Sequence, residues 1–134
     1  MTREEIIKAL EEGITSWGMY QVNYDVMDEI NASEDPFSYV KPILELIGAY
    51  PDIDFGAPGE LVHFVEKFDN MGYEELLIES VRKSPTAHNI WMVHRCFNDE
   101  NNPMHDEFVK LVQELKENPE VSEAIKNEIA SYTW

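Results

Sequence analysis

Apolar side chains recur at steps of three and four residues along nearly the whole chain. Ile6, Ile7, Leu10, Ile14 and Trp17 form a first stripe, and Val22, Val26, Met27 and Ile30 a second. Phe37, Val40, Leu44 and Ile47 follow, then Leu61, Phe64, Val65 and Phe68. Tyr73, Leu76, Leu77 and Val81 precede Ile90, Trp91, His94 and Phe97. The last two sets are Phe108, Leu111, Val112 and Leu115, then Val121, Ile125, Ile129 and Tyr132. Each set falls on one face of an α-helix, and no segment sustains the alternation of a half-buried strand. The pattern predicts an all-α protein of about eight short helices.

Polar residues punctuate the stripes where helix ends are expected. Asp35-Pro36, Ser84-Pro85, Asn102-Pro103 and Asn118-Pro119 each pair a capping side chain with a proline, which loses no hydrogen bond in a first turn. Thr2 and Glu5 have the spacing of a capping box. Gly48, Gly56, Gly59 and Gly72 mark breaks, and Pro42 is expected to kink its helix. The later segments then pair as hairpins, 37–49 with 58–69, 73–83 with 86–98 and 104–117 with 119–132. Hairpins at such spacing resemble a short HEAT-like stack of irregular helical pairs, with a compact helical bundle as the alternative. No linker interrupts residues 1–134, which read as one domain. Its core is expected to run through Phe64, Phe68, Leu76, Leu77, Trp91 and Leu111.

Charge changes the functional picture more than the fold. Asp and Glu number 27 against 10 Lys and Arg, a formal net charge of −17, while 43% hydrophobic residues set the chain apart from disordered acidic tails. Between Ala9 and Glu66 the only Lys or Arg is Lys41, against twelve acids. Such a field repels phosphate backbones and anionic membrane surfaces and attracts basic proteins. The N-terminus carries no apolar signal region and no stretch is long enough to span a bilayer, so a cytoplasmic location is expected.

Candidate chemistry is thin. His63 and Glu66 stand three apart on one helix but lack a second pair of ligands, and His105-Asp106 lies where a helix begins. His94 falls on an apolar stripe and reads as a hydrogen-bonded core histidine. Cys96 is alone among apolar neighbours, where a thiol behaves as a small hydrophobe. No nucleophile elbow or phosphate loop is present, so no catalytic residue, metal or cofactor is assigned. Two segments instead mix aromatics with carboxylates in the manner of protein interfaces. They are Trp17 to Asp25, followed by Asp28 and Glu29, and the long connection from Tyr50 to Glu60. In the second, Ile53 and Phe55 either plug the core or anchor a partner.

The run Phe55-Gly56-Ala57-Pro58-Gly59-Glu60-Leu61-Val62-His63 continues into Tyr73-Glu74-Glu75-Leu76-Leu77. Ser80, Arg82, Pro85-Thr86 and Trp91-Met92-Val93-His94-Arg95 complete a pattern over residues 37 to 100. This pattern resembles small bacterial immunity proteins encoded beside polymorphic or contact-dependent growth-inhibition toxins. The resemblance implies a non-enzymatic inhibitor that binds a cognate, basic, nuclease-type toxin domain. The expected contact residues are Asp25, Asp28, Glu29, Asp52, Asp54 and Glu60 for charge, with Tyr24, Tyr50 and Phe55 as anchors. A helical-repeat adaptor or regulatory subunit is the second reading and a metal-dependent phosphohydrolase the third. Oligomeric state is left open.

Overall fold

In the computed structural model, which describes residues 1–134, the stripes become eight α-helices. They are α1 (Arg3–Glu11), α2 (Tyr24–Asn31), α3 (Val40–Ala49), α4 (Glu60–Glu66), α5 (Tyr73–Lys83), α6 (Ala87–Phe97), α7 (His105–Glu117) and α8 (Glu123–Ala130). A 3-10 turn over Pro36–Tyr39 leads into α3. There is no strand; the one β-type contact is a single parallel bridge between Met19 and Asp54. No helix is long and apolar enough to cross a membrane.

α3, α5 and α7 pack successively against one another, and α6 and α8 lie side by side behind them, joined to the first layer as hairpins α5–α6 and α7–α8. α1 and α2 cover the α3 end. One cluster of buried side chains runs from Ile6 of α1 to Ile129 of α8. Phe64, Leu77 and Leu111 sit in it as expected, whereas Phe68, Leu76 and Trp91 are only partly buried and pack against its edge. Trp91 lies at the rim because its face of α6 looks towards the connection that follows α3, which leaves a groove there.

Several helix ends differ from the sequence reading. α6 starts at a capping box of Thr86 and Asn89, and α8 at Ser122, whose hydroxyl accepts from the Ile125 amide at 3.3 Å. Ser84 and Asn118 close the preceding helices instead. A Ser or Asn before proline can cap only if the chain has already turned, and here the cap comes two residues after Ser84 and four after Asn118. Asn102 does not cap α7 either: its side chain accepts from the Met104 amide at 2.8 Å, closing a turn as Asn118 does with the Glu120 amide at 2.9 Å, and Met104 precedes the helix without a side-chain cap. The Thr2–Glu5 capping box forms as expected. Pro42 occupies the first turn of α3, where its missing donor costs nothing, so it is no interior kink. Gly48 lies within α3 rather than breaking it. A Cβ there would stand 3.4 Å from Ser84 Cβ, an ordinary contact, so the position does not require glycine.

The first stripe was read one turn too far. α1 stops at Glu11, and Trp17 lies beyond it with 66% of its surface exposed. Gly13 ends the run: a Cβ there would lie 2.6 Å from the Gln21 carbonyl and the Tyr20 ring, so the chain folds back against itself at this point. At the other end of the molecule the C-terminal residues pack on α6. His94 stacks on Tyr132 at 4.5 Å and its Nε2 pairs with the Thr133 carbonyl at 3.0 Å. It is thus partly buried under the tail rather than in the core.

Candidate functional site: two joined acidic loops

The two segments that mix aromatics with carboxylates meet in space. The Tyr20 amide donates to the Asp54 carbonyl at 2.9 Å and the Asp54 amide to the Gly18 carbonyl at 2.8 Å. The Gln21 amide donates to the Gly13 carbonyl at 2.8 Å, which closes the first loop on itself. Beneath this seam Tyr20 is buried, its hydroxyl donating to the Leu10 carbonyl at 2.6 Å and its ring 5.3 Å from Phe55. The aromatic contacts continue from Phe55 to His88 at 5.4 Å and from His88 to Trp91 at 5.5 Å.

Phe55, expected as an anchor for a partner, is 3% exposed and belongs to this support. Its burial follows from the loop's local geometry. Gly59 has φ of +84°, and a Cβ at that position would collide with the Phe55 carbonyl. The backbone therefore doubles back tightly and pushes the phenyl ring inward, the core-plugging alternative. Tyr50 is half-buried, and its hydroxyl donates to Glu11 Oε1 at 3.1 Å, a bond that raises its pKa.

The remaining expected contact residues fall into three groups. Asp52 and Asp54 are exposed and line a groove with His88, Trp91, Glu128 and Tyr132. Asp54 Oδ1 accepts only from its own turn, at 2.8 Å from the Gly56 amide. Tyr24, 63% exposed, and Asp25 begin α2 and line a neighbouring cleft with Glu12 and Gln21. Because Glu11 bonds Tyr50 while Glu12 borders Tyr24, the C-terminal end of α1 lies between the two acidic segments. Asp28, Glu29 and Glu60 are exposed but line neither feature; Glu29 lies 3.7 Å from the N-terminal ammonium.

Trp17 and Met19, exposed on the seam, fall within the segment singled out in the sequence but are not among the expected contact residues. A signal for them existed, since Gly13 and Gly18 bracket a segment too short to be helical. Sequence reasoning missed Glu128 and Tyr132, which reach the groove only because α8 folds back beside α6.

Other side chains with chemical potential are engaged elsewhere. Burial, and then repulsion by Glu74, Asp69 and Glu66, pushes the Cys96 thiol up to about 12, so it stays protonated. Glu66 is held by Arg95, whose Nε donates to Oε2 at 2.7 Å and Nη2 to Oε1 at 2.9 Å, and His63 is exposed. No group of three or more His, Cys, Asp and Glu is arranged to hold a metal ion. A cleft of about 300 Å³ between α3 and α5 carries both signs of charge, Lys41 and Lys83 with Glu45 and Glu79, and so has no electrostatic preference. No protein-family model, curated protein or solved structure matches the chain.

Proposed function

We propose that this chain is an immunity protein that binds and neutralises a cognate, basic, nuclease-type toxin domain. The observation that carries the reading is the seam between two acidic loops in a chain of formal net charge −17. No Lys or Arg occurs from Ala9 to Val40 or from Pro42 to Glu66, so both loops lie in segments lacking intrinsic counterions. Around the seam Trp17, Met19 and Tyr24 are exposed beside Asp25, Asp52 and Asp54. Exposed aromatics ringed by carboxylates suit a partner rich in Arg and Lys, with the rings as anchors and the charges as guides. The backbone hydrogen bonds of the seam hold these groups before binding, which lowers the ordering cost of association. The resemblance over residues 37 to 100 supplies the toxin as the class of partner.

The test is co-expression with a toxin domain encoded next to this gene, followed by association kinetics on the purified pair. Changing Asp52 and Asp54 to Asn is expected to slow association, and the loss shrinks at high salt, because steering raises on-rates by about 10–10³ and is screened. Trp17→Ala is expected to act mainly by speeding dissociation. A neighbouring toxin that still kills cells expressing this chain would overturn the function. Unchanged rates in all three variants would overturn the assignment of the seam as the interface.

A further inference from the structure

His88 is the one side chain on the groove wall that can take up a positive charge, since no Lys or Arg lines the groove. It stands in the first turn of α6, which begins at Ala87, and there the helix dipole opposes a cation. Its ring makes edge contacts with Phe55 at 5.4 Å and Trp91 at 5.5 Å. Its Nε2 atom is buried and has no hydrogen-bond partner. A neutral ring can leave a bare lone pair at that atom. A charged ring must carry an N–H there with no acceptor, which costs more.

The charges around the ring pull the other way. Asp52 and Asp54 line the groove from the connection after α3, and Glu128 lines it from α8, where the Tyr132 hydroxyl donates to its Oε1 at 2.9 Å. Further along α6, Arg95 is taken by Glu66 and lies over the Trp91 ring. Tyr20 is separated from His88 by Phe55. Burial holds His88 below the ordinary imidazole range, and the Asp54 charge opposes that. The ring is therefore neutral at neutral pH, yet it sits beside carboxylates that favour a proton as the solution is acidified.

We infer that His88 is a proton-operated switch on the groove: a proton on its ring and a cationic side chain of a partner in the groove exclude one another. Both are stabilised by the same carboxylates, and each repels the other. Such coupling is reciprocal. An Arg or Lys entering the groove drives the proton off His88, and acidification weakens the hold on that Arg or Lys. Protonation also disturbs the wall, because an Nε2–H without an acceptor turns the ring out from between Phe55 and Trp91. Asp54 can receive it, since the turn with Gly56 uses only Oδ1. The inference rests on the groove being part of the interface, as proposed above.

The test takes a tri-arginine peptide amide as the cationic probe and follows the ring resonances of His88 and the indole resonance of Trp91. Saturable shifts at both are expected near neutral pH. Affinity is expected to fall about three- to tenfold as pH drops from about 7.5 to about 5, and His88 to titrate at lower pH with the peptide bound. His88→Gln, polar but unable to charge, is expected to remove that fall. An equal fall in His88→Gln would overturn the switch and leave the groove as a receptor. So would a His88 titration in the unaltered protein that the peptide does not move. Peptide binding that leaves His88 and Trp91 unshifted would overturn both the switch and the groove's place in the interface.

Discussion

The two ends of α6 are both acidic, yet the carboxylates stand in opposite relations to the fold. At the N-terminal end Asp52 and Asp54 face water across the groove from His88 and Trp91, and only a turn amide is bonded to either. At the C-terminal end Glu74 is 1% exposed and accepts from the Asn70 amide at both oxygens and from Asn102. Glu66 there holds Arg95, which also lies 5.0 Å above the Trp91 ring. A carboxylate taken out of water needs fixed donors, and those donors come from three separate segments that must then stay in register. A wet carboxylate needs nothing and contributes little to stability, which leaves it available to a partner. The difference separates charge that belongs to the fold from charge that belongs to recognition.

The sharpest way to break that separation is to compare the packing at the two ends. Phe108→Ala removes a fully buried ring and is expected to cost about 3–5 kcal/mol in urea unfolding. Trp91→Ala, at the rim of the groove, is expected to cost about 1–2 kcal/mol, within the ordinary range for point substitutions. Equal costs would mean that the groove wall is core, and its charges could then no longer be treated as independent of the fold.

Glu74→Ala comes next. It strips partners from the Asn70 amide and Asn102 and is expected to cost about 1–3 kcal/mol, the penalty for unpaired buried donors. Asp52→Ala, its wet counterpart, is expected to change stability by less than about 0.5 kcal/mol.

Acid titration separates the ends without mutation. Asp69 has its folded pKa raised to about 6, so the stability tied to it is full below its unfolded value near 3.8 and is lost as pH rises through 6. Glu74 runs the other way. Burial alone would raise it, but hydrogen bonds from Asp69, the backbone amides of Asn70 and Glu74, and Asn102 outweigh that and lower it below 4.5. Its stability is present above 4.5 and lost as pH falls through the lowered value. The midpoint of thermal unfolding is therefore expected to rise as pH drops from 7 to 5 and to fall again below about 4.5. In Asp69→Asn the rise should be smaller. A profile unchanged by that substitution would remove Asp69 from the coupled pair.

The helices were legible in the sequence because apolar spacing and the Thr2–Glu5 box are local signals. Seven-residue α4 and eight-residue α8 came out shorter than their stripes, since packing and not propensity decides where short helices end. The aromatic-and-acid mixture of both loops was equally legible, but their meeting was not. The bridge between Met19 and Asp54 spans two connections with no shared periodicity. Phe55 shows the same limit: nothing local distinguishes a ring that plugs the core from one that waits for a partner. The Glu74–Asn102 network was invisible because its members are 28 residues apart and each is an ordinary surface residue by type.

The smallest effect is expected from Asp54→Asn, and it tests the groove directly. The amide oxygen of Asn keeps the bond from the Gly56 amide, so stability should move by less than about 0.5 kcal/mol. His88 supplies the readout. Burial lowers its pKa below 6.5, and the Asp54 carboxylate opposes that by favouring the charged imidazole. Removing the negative charge leaves burial alone, so His88 should titrate at still lower pH, as followed by its ring proton resonances. The shift should shrink as salt is added, since the groove is open to screening. A His88 pKa indifferent to the substitution would mean that Asp54 points away from the groove. Its role would then be confined to the turn it closes with Gly56, and recognition would fall to Asp52, Glu128 and the exposed rings around Trp17.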